Sequence, residues 1–413
     1  MSDSWLEPPF NILPKLGDLS GFPKLGSTHY LNHAAITPPS QWVKESLQQV
    51  LDDFASRGSG AFLDVVEARI ALKAQLATLL GAPSADGTDF AWCPNTTSGV
   101  QAIAHAFPWD HQRGLLVFDG EFPTNVIPWT QVAKRHRLVL HSASLTPLMA
   151  IGGADWSQVE SILKQGIQLV AISAVQFQTG FKVPLAELSA LCKRYDAALF
   201  VDGIQACGST PIPLDLIDFM ACGGHKWMMA VEGAGFLYVH PRWHGRLVPQ
   251  QAGWLSVEEP LDFLFAGHSM LRHDKPLRQD LSAFEGGAQS ALCYAALEAS
   301  TNILNTFGVE VIFEHIQALL DPLEQGLVAR GFHSARLPDL ARRGCSLSVR
   351  PPTGDPRHVA HWSQSLHKHG VIVSIPDGWL RFSPHWPNHI GQITTILDVI
   401  DDLLSKPALS PTH

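Results

Sequence analysis

The chain has 413 residues, a formal net charge of −9, 46% hydrophobic residues and 16% charged residues. This length suits two domains with a large buried core, and the composition excludes an intrinsically disordered chain. The acidic balance argues against nucleic-acid binding, which requires a basic surface patch.

Residues 1–9 lack both the basic and the apolar region of a secretory signal, and no apolar run approaches the ~20 residues of a membrane span. The six cysteines are scattered, and no two of them form a Cys-x-x-Cys pair. Scattered cysteines are typical of reduced thiols. We therefore expect a cytoplasmic protein without a membrane or nucleic-acid partner.

In chain order, an N-terminal arm precedes two helices and then an alternating series. Helical apolar spacing covers residues 40–54 and 63–80, and the second pattern stops at Gly81. The predicted strands that follow are 90–93, 114–118, 137–140, 168–173, 197–201, 219–222 and 235–239, and the predicted helices between them are 96–107, 125–136, 156–165 and 184–195. This alternation predicts an α/β domain built on a mostly parallel sheet.

The last third of the chain has a different organisation. After a loop-like region at 255–285, two long helices are predicted over 289–307 and 310–330, and short strands follow. This pattern indicates a smaller α+β domain. We predict a large α/β domain at 25–295 and a small domain formed by the arm at 1–24 together with 296–413.

A lysine, a carboxylate and an amide follow two of the predicted strands. Lys226 lies in a glycine-rich bend after strand 219–222, and Asp202 and Gln205 follow strand 197–201. A surface lysine and a helix-capping aspartate are the ordinary alternatives for each residue alone. Ligands of open α/β sheets, however, bind beyond the carboxyl ends of the strands. Together the three residues suit pyridoxal phosphate (PLP): Lys226 would form a Schiff base, Asp202 would keep the ring nitrogen protonated and Gln205 would contact the phenolic oxygen.

Three further positions extend this predicted site. Residues 95–99 place hydroxyl side chains at a helix N-terminus, which suits a phosphate or an ordinary helix cap. Phe122 follows strand 114–118, where its ring could stack on the cofactor or fill the core. Arg381 lies between apolar residues and suits bidentate binding of a carboxylate, with a surface charge as the alternative. The histidines show no metal-ligand spacing, so we expect no metal site.

Four motifs occur in the order typical of one family: EFPTNVIPW (121–129), FVDGIQACG (200–208), GGHKWMM (223–229) and FEGG (284–287). In these motifs the chain resembles the class V aminotransferases. These are fold-type I PLP enzymes that include cysteine desulfurases, kynureninases and isopenicillin N epimerase-like proteins. The resemblance runs from about Tyr30 to Ser383. It implies an α/β fold with a mostly parallel seven-stranded sheet between helices, PLP as cofactor, and a homodimer with its active site near the subunit interface.

The resemblance also implies a role for individual residues. The implied catalytic residues are Lys226, Asp202 and His225. The implied cofactor ligands are these three together with Gln205, Phe122, Thr96 and Thr97. The implied substrate-binding residues are Arg381, Asn32 and His33.

The chain departs from the family pattern at several positions. No cysteine occurs after Cys345, so the loop before Arg381 lacks the nucleophile of cysteine desulfurases. Ala288 stands where the family's FExGT motif has a threonine, which puts phosphate binding across the subunits in doubt. Gly223 and Phe177 replace a hydroxyl residue and an asparagine. These changes favour the epimerase-like and kynureninase-like branches and argue against desulfuration through a persulfide.

We therefore expect a PLP enzyme that acts on an α-amino acid, with aminotransferase as the first hypothesis. An isopenicillin N epimerase-like epimerase or racemase, and a C–S lyase or kynureninase-like enzyme, are the alternatives. A non-catalytic binding protein that has kept the fold is a further alternative from a different class.

Overall fold

A computed structural model describes residues 13–352 and 358–405 of the chain. The α-helices are α1 (Gln41–Arg57), α2 (Phe62–Leu80), α3 (Thr96–Ala106), α4 (Ile127–His136), α5 (Ser157–Leu163), α6 (Leu185–Arg194), α7 (Asp262–Phe265), α8 (Ala291–Phe307), α9 (Val309–Ala329), α10 (His358–Lys368) and α11 (Ile390–Ser405). The β-strands are β1 (His29–Tyr30), β2 (Phe90–Cys93), β3 (Gly114–Asp119), β4 (Leu140–Ser144), β5 (Ile167–Ser173), β6 (Ala198–Asp202), β7 (Phe219–Gly223), β8 (Gly235–Val239), β9 (His333–Ser334), β10 (Leu347–Arg350), β11 (Val371–Ile372) and β12 (Leu380–Phe382).

The central sheet has seven strands in the order β2-β8-β7-β6-β5-β3-β4. Strand β8 is antiparallel to both of its neighbours, and every other pair is parallel. Strands β5, β6, β7 and β8 are buried along their whole length, because helices cover both faces of the sheet. The predicted α/β fold with a mostly parallel seven-stranded sheet is therefore confirmed.

The carboxyl ends of β5, β6 and β7 are aligned at one edge of the sheet. In the parallel register Ser173 on β5 faces Asp202 on β6, and Asp202 in turn faces Ala221 on β7. The loops that leave these strands therefore start at the same level. This alignment brings Lys226, which follows β7, to the same side as Asp202.

A small sheet, β12-β10-β9, is antiparallel and lies in the C-terminal part of the chain. The N-terminal segment contributes to this part, because β1 pairs with β11 and Asn32 bridges to Ser383. The predicted division into two domains stays a prediction. Its boundary after residue 295 falls inside α8, so this helix would join the two units.

Strand β4 begins three residues later than predicted, at Leu140 instead of residue 137. Arg137 has a left-handed backbone (φ 57°) and donates its N–H to the last carbonyls of α4. This residue therefore ends the helix, and the chain can pair with β3 only from Leu140 onward. Apolar spacing alone cannot detect such a cap, since Arg137 is not glycine.

In the described ranges no single helix is long and apolar enough to cross a membrane. Helices α8 and α9 satisfy the length and hydropathy criteria only as a pair, and a bend of 78° separates them.

Helix α8 carries a buried acid that is not among the predicted site residues. Glu298 is 7% exposed, and its Oε1 has no hydrogen-bond partner among the described residues. Burial raises its pKa to about 7. The folded protein therefore binds a proton that the unfolded chain has released above its ordinary pKa near 4.5. Stability consequently falls as the pH rises from that value to about 7, and the penalty persists above it.

We expect Glu298→Gln to remove roughly 2–3 kcal/mol of this loss of stability between pH 5 and pH 8. The measurement is urea unfolding of wild type and variant at both pH values. Glu314→Gln on the exposed face of α9 is the matched control and should leave the pH dependence unchanged. Parallel stability curves for wild type and Glu298→Gln would contradict the assignment.

Candidate active site

Asp202 is the last residue of β6 and is 1% exposed. Its Oδ1 accepts a hydrogen bond from the Ile204 N–H at 3.0 Å, whereas Oδ2 accepts none from the described residues. Burial raises its pKa to about 6, and the Ile204 N–H and the Lys226 charge limit that rise. A buried carboxylate with one free oxygen can take a cationic N–H partner, such as a protonated ring nitrogen.

Lys226 lies in the turn that follows β7, and its Nζ is 5.6 Å from the centroid of the Phe122 ring. Burial lowers its pKa to about 8, the Asp202 charge opposes that shift and the Arg381 charge adds to it. An amine with such a pKa is partly neutral near physiological pH. It can therefore act both as a nucleophile and as a base.

Two distant side chains hold the backbone of this turn. The Thr37 hydroxyl donates to the Lys226 carbonyl oxygen at 2.7 Å, and His385 Nε2 donates to the Trp227 carbonyl oxygen at 2.9 Å. The Met229 N–H also donates to the Lys226 carbonyl, at 3.0 Å. Met229 has a left-handed backbone (φ 58°), a strained conformation for this residue. The surrounding hydrogen bonds therefore maintain a turn that the local sequence alone would not favour.

The hydrogen bonds also define the tautomer of His33. Because the Thr37 hydroxyl donates to a carbonyl, its oxygen can only accept from His33 Nδ1, which lies 2.9 Å away. Burial and the adjacent His385 hold the His33 pKa well below its usual value, so the ring is neutral with its proton on Nδ1. The sequence predicted a substrate contact for His33, and that role stays a prediction. Its observed contacts support the lysine turn.

We expect Thr37→Val to destabilise the protein by about 1–3 kcal/mol, because the buried His33 N–H loses its acceptor. The variant should also shift the pH midpoint of the visible absorption band of the expected PLP cofactor, because the Lys226 carbonyl loses one of its two hydrogen bonds. Urea unfolding and a spectroscopic pH titration measure the two effects. Thr37→Ser keeps the hydroxyl and should restore both values. Loss of stability without any shift of the midpoint would limit Thr37 to a structural role.

Gln205 is oriented by two hydrogen bonds. Its Oε1 accepts from the Trp227 indole N–H at 2.8 Å, and its Nε2 donates to the Ala34 carbonyl oxygen at 3.0 Å. The amide nitrogen carries a second proton, which is not used within the described part of the chain. This N–H is available for an oxygen acceptor such as the phenolic oxygen of PLP.

The N-terminus of α3 lies beside this cluster. The N–H groups of Thr96 and Thr97 make no backbone hydrogen bonds within the described ranges, as expected at the start of a helix. The Thr96 hydroxyl accepts from the Gly223 N–H at 3.0 Å and keeps its own proton to donate. The Thr97 hydroxyl lies 2.9 Å from that of Thr124. Free N–H groups at the positive end of a helix favour a phosphate.

Gly223 separates this helix end from His225. A Cβ at position 223 would lie 3.3 Å from His225 Nδ1 and 3.4 Å from Thr96 Oγ1. A side chain there would reduce the space between the two predicted phosphate ligands, so the glycine keeps that space open. Burial and the Lys226 charge lower the pKa of His225, so its ring is predominantly neutral at neutral pH.

Phe122 is 43% exposed, and its ring contacts Phe177 edge-on at a centroid distance of 5.4 Å. One face of a large aromatic side chain therefore remains available next to Lys226. Glu121, which the sequence analysis missed, anchors this segment. Its carboxylate accepts from the N–H of Ser173 at 2.7 Å and from the Ser173 hydroxyl. Its position directly before Phe122 was the available signal, but one acidic residue in a loop is not specific.

Arg381 lies on β12 and is 4% exposed. Its Nε donates to the Ser374 hydroxyl at 3.0 Å, and its Nη1 donates to the Phe177 carbonyl oxygen at 2.6 Å. None of the ion pairs between described residues includes Arg381, and burial lowers its pKa to about 10. A buried guanidinium without an acidic partner is costly unless an anion binds it.

Asn32 borders the same region from the N-terminal segment. It forms a bridge with Ser383, two residues after Arg381, and its buried Oδ1 has no hydrogen-bond partner among the described residues. An orphaned amide oxygen of this kind is available for a donor on a ligand. The structure therefore brings Asn32 near the strand that carries Arg381, and its predicted role in substrate binding stays a prediction.

Trp254 and Ala288 flank the region predicted to be loop-like at 255–285. Trp254 is 39% exposed and packs on Phe263 at a centroid distance of 6.1 Å. Ala288 is exposed. Within the described ranges, no cluster of three or more histidine, cysteine or acidic side chains could hold a metal ion.

These features together fit PLP. The donor set contains an amine with a depressed pKa, a buried carboxylate with a free oxygen, an amide with a free N–H and a helix N-terminus with unused N–H groups. Each matches one functional group of the cofactor: the aldehyde, the ring nitrogen, the phenolic oxygen and the phosphate.

Sequence comparison supports this interpretation. The protein YcbU from Bacillus subtilis, described as an uncharacterized aminotransferase, is 21% identical over 92% of this chain and 95% of its own length. Isopenicillin N epimerase from Streptomyces clavuligerus is 30% identical over 80% of this chain and 83% of its own length. A probable cysteine desulfurase from Chlamydia trachomatis is 25% identical over 78% of both chains.

Structural comparison supports the fold. A structure of the protein C-DES with glycine covalently linked to its PLP cofactor matches with a TM-score of 0.81, at 21% identity. The match covers 93% of this chain and 99% of the other. A second structure describes C-DES as a cystine C–S lyase.

The comparisons do not support excluding cysteine desulfurase activity, because relatives with that name are similar to this chain. That exclusion rests only on the lack of a cysteine after Cys345. Residues 29–375 match the family model of the class V aminotransferases. The chain therefore belongs to the class V aminotransferase family, and it is a PLP-dependent enzyme.

Proposed function

We propose that the protein is an aminotransferase that acts on an α-amino acid. The observation that carries this proposal is the pairing of Lys226, an amine with a pKa of about 8, with Arg381, a buried cation that has no acidic partner among the described residues. The charge of Arg381 is close enough to Lys226 to lower the pKa of its amine. An amino acid offers a carboxylate to Arg381 and its α-carbon to Lys226.

Bound PLP supplies an electron sink for the substrate's α-carbon. Asp202 would hold a proton on the ring nitrogen and so maintain that sink. Arg381 would bind the substrate carboxylate, and Phe122 would contact the ring. Lys226 would act as the base that removes the substrate's α-proton and, in transamination, as the acid that gives a proton back. The site therefore needs one mobile base, and Lys226 fits that role.

Epimerisation is a second candidate function, and the relative that is 30% identical supports it. Inversion requires that a proton return to the opposite face of the α-carbon. The first experiment is incubation of the holoenzyme with single L-amino acids, with and without pyruvate or 2-oxoglutarate.

A keto acid whose formation depends on the added oxo acid is the expected result. Amines that lack the carboxylate are the control, because Arg381 cannot bind them. The D-amino acid as product would replace the proposal with epimerisation. Ammonia or sulfide released without an oxo acid would replace it with a lyase reaction.

We also propose a homodimer with the active site near its interface. Exposed apolar side chains on two helices support an apolar contact, among them Phe54, Leu63 and Ile70. Light scattering should give about twice the chain's mass of 45.1 kDa.

A cytoplasmic location is proposed on the basis of the six free cysteines.

A further inference from the structure

A groove lies at the C-terminal ends of α3 and α4, at the opposite end of α3 from the predicted phosphate site. Its volume is about 290 Å³. An 11-residue helix is about 16 Å long, so the groove is separate from the catalytic cluster. Four basic side chains line it: His105 on α3, Arg135 and His136 on α4, and Arg246.

These four side chains have no acidic partner among the described residues. No described aspartate or glutamate lines the groove. Within residues 13–352 and 358–405, no ion pair includes Arg135, Arg246, His105 or His136. The pKa of His105 is lowered first by burial and then by the charges of Arg135 and His136. A concentration of cations is unusual on a chain with a net charge of −9.

The helix ends explain only part of this charge. His105 lies in the last turn of α3, and Arg135 and His136 lie in the last turn of α4, where cations offset the partial negative charge of a helix. The C-terminal end of each helix carries a partial charge of about −0.5. The two arginines therefore leave the groove with a net charge of about +1 before either histidine is protonated.

The groove is also held in place. The Arg246 guanidinium stacks on the Trp243 ring at 4.3 Å, and the Trp243 indole N–H donates to Asp218 at 2.7 Å. Phe107 and Val248 contribute an apolar wall. The guanidinium is thus oriented by an aromatic ring and has no acidic partner in the described part of the chain, which leaves its donors available for a ligand.

We propose that this groove binds a small oxyanion with at least two negative charges, a phosphorylated or polycarboxylate metabolite with a short carbon body. The arginines bind its charged oxygens, and Phe107 and Val248 contact its carbon atoms. This site is distinct from that of PLP and does not depend on the proposed transamination.

Isothermal titration calorimetry of the PLP-saturated holoenzyme at low ionic strength tests the proposal. Inorganic pyrophosphate and citrate are titrated separately, and they distinguish a phosphoryl from a carboxylate ligand. We expect saturable binding of one ion per chain for at least one of them. Each of Arg135→Gln and Arg246→Gln should weaken binding about tenfold.

Two further variants make the test specific. Val248→Asp adds a negative charge to the groove without removing a cation, and should also weaken binding. Arg194→Gln makes the same charge change at an exposed position on α6 and should leave the affinity unchanged within about twofold. No saturable binding of either ion overturns the proposal. So does wild-type affinity in the Arg135→Gln and Arg246→Gln double variant.

Discussion

Lys226→Ala is expected to lower turnover by at least about 10³-fold and to abolish the borohydride-reducible linkage to PLP. Among the described lysines, only Lys226 combines a pKa of about 8, influenced by the charge of Asp202, with an amine that lies 5.6 Å from the centroid of the Phe122 ring. Its removal deletes both the covalent attachment and the base. The variant should remain folded, because burial of a charged amine destabilises the folded chain instead of stabilising it.

Mass spectrometry after borohydride reduction measures the linkage, and a coupled assay measures turnover. Lys164→Ala, on a side chain that is 62% exposed, is the control and should retain both. If Lys226→Ala still formed a reducible adduct with PLP, another amine would hold the cofactor and the proposed site would be wrong. Noncovalent retention of PLP by the variant is compatible with the proposal, since Asp202 and the α3 N-terminus remain.

Arg381→Gln is expected to lower kcat/KM for α-amino acids by about 10- to 100-fold, mostly through KM. A hydrogen bond to a charged group contributes ~1.5–3 kcal/mol, and each ~1.4 kcal/mol corresponds to a factor of ten. Arg381→Lys keeps the charge but loses the planar fork, so it should fall between wild type and the glutamine variant. Substrate saturation curves for the three proteins measure these differences.

The contacts of Arg381 with Ser374 and with the Phe177 carbonyl require a second control. Ser374→Ala removes one of these hydrogen bonds and leaves the guanidinium in place. It should lower kcat/KM by less than about tenfold. A primary amine without a carboxylate, tested as a poor substrate, should be affected equally little by every Arg381 variant. An equal loss for this amine and for amino acids would show that Arg381 supports the loop and does not bind the carboxylate.

Much of the sheet was predictable because fully buried parallel strands appear as short apolar runs between amphipathic helices. The seven predicted strands of the central sheet all form. The boundary error at β4 arose at Arg137, whose left-handed backbone is set by its contact with the end of α4. Apolar spacing locates strands well and helix caps poorly, because a cap depends on the conformation of one residue.

The residues that support the site were harder to predict. Thr37 and Lys226 are 189 positions apart, and His385 and Trp227 are 158 positions apart. No local pattern links them, and a threonine near a proline pair is typical of an ordinary turn. The sequence likewise has Ser374 at 7 positions before Arg381, but this spacing does not indicate that the Ser374 hydroxyl would orient the guanidinium.

The sequence by itself determined the identity and order of the chemical groups: an amine after one strand, a carboxylate at the end of its neighbour and an arginine far downstream. These features are local, and the alignment of parallel strands converts them into proximity. Only the tertiary structure decided the state of those groups. The pKa values of about 8 at Lys226 and about 6 at Asp202 depend on burial. Which described segments surround Arg381 decides that none of them gives it an acidic partner. Burial and charge environment come from segments distant in the chain, so they follow from packing and cannot be read from spacing.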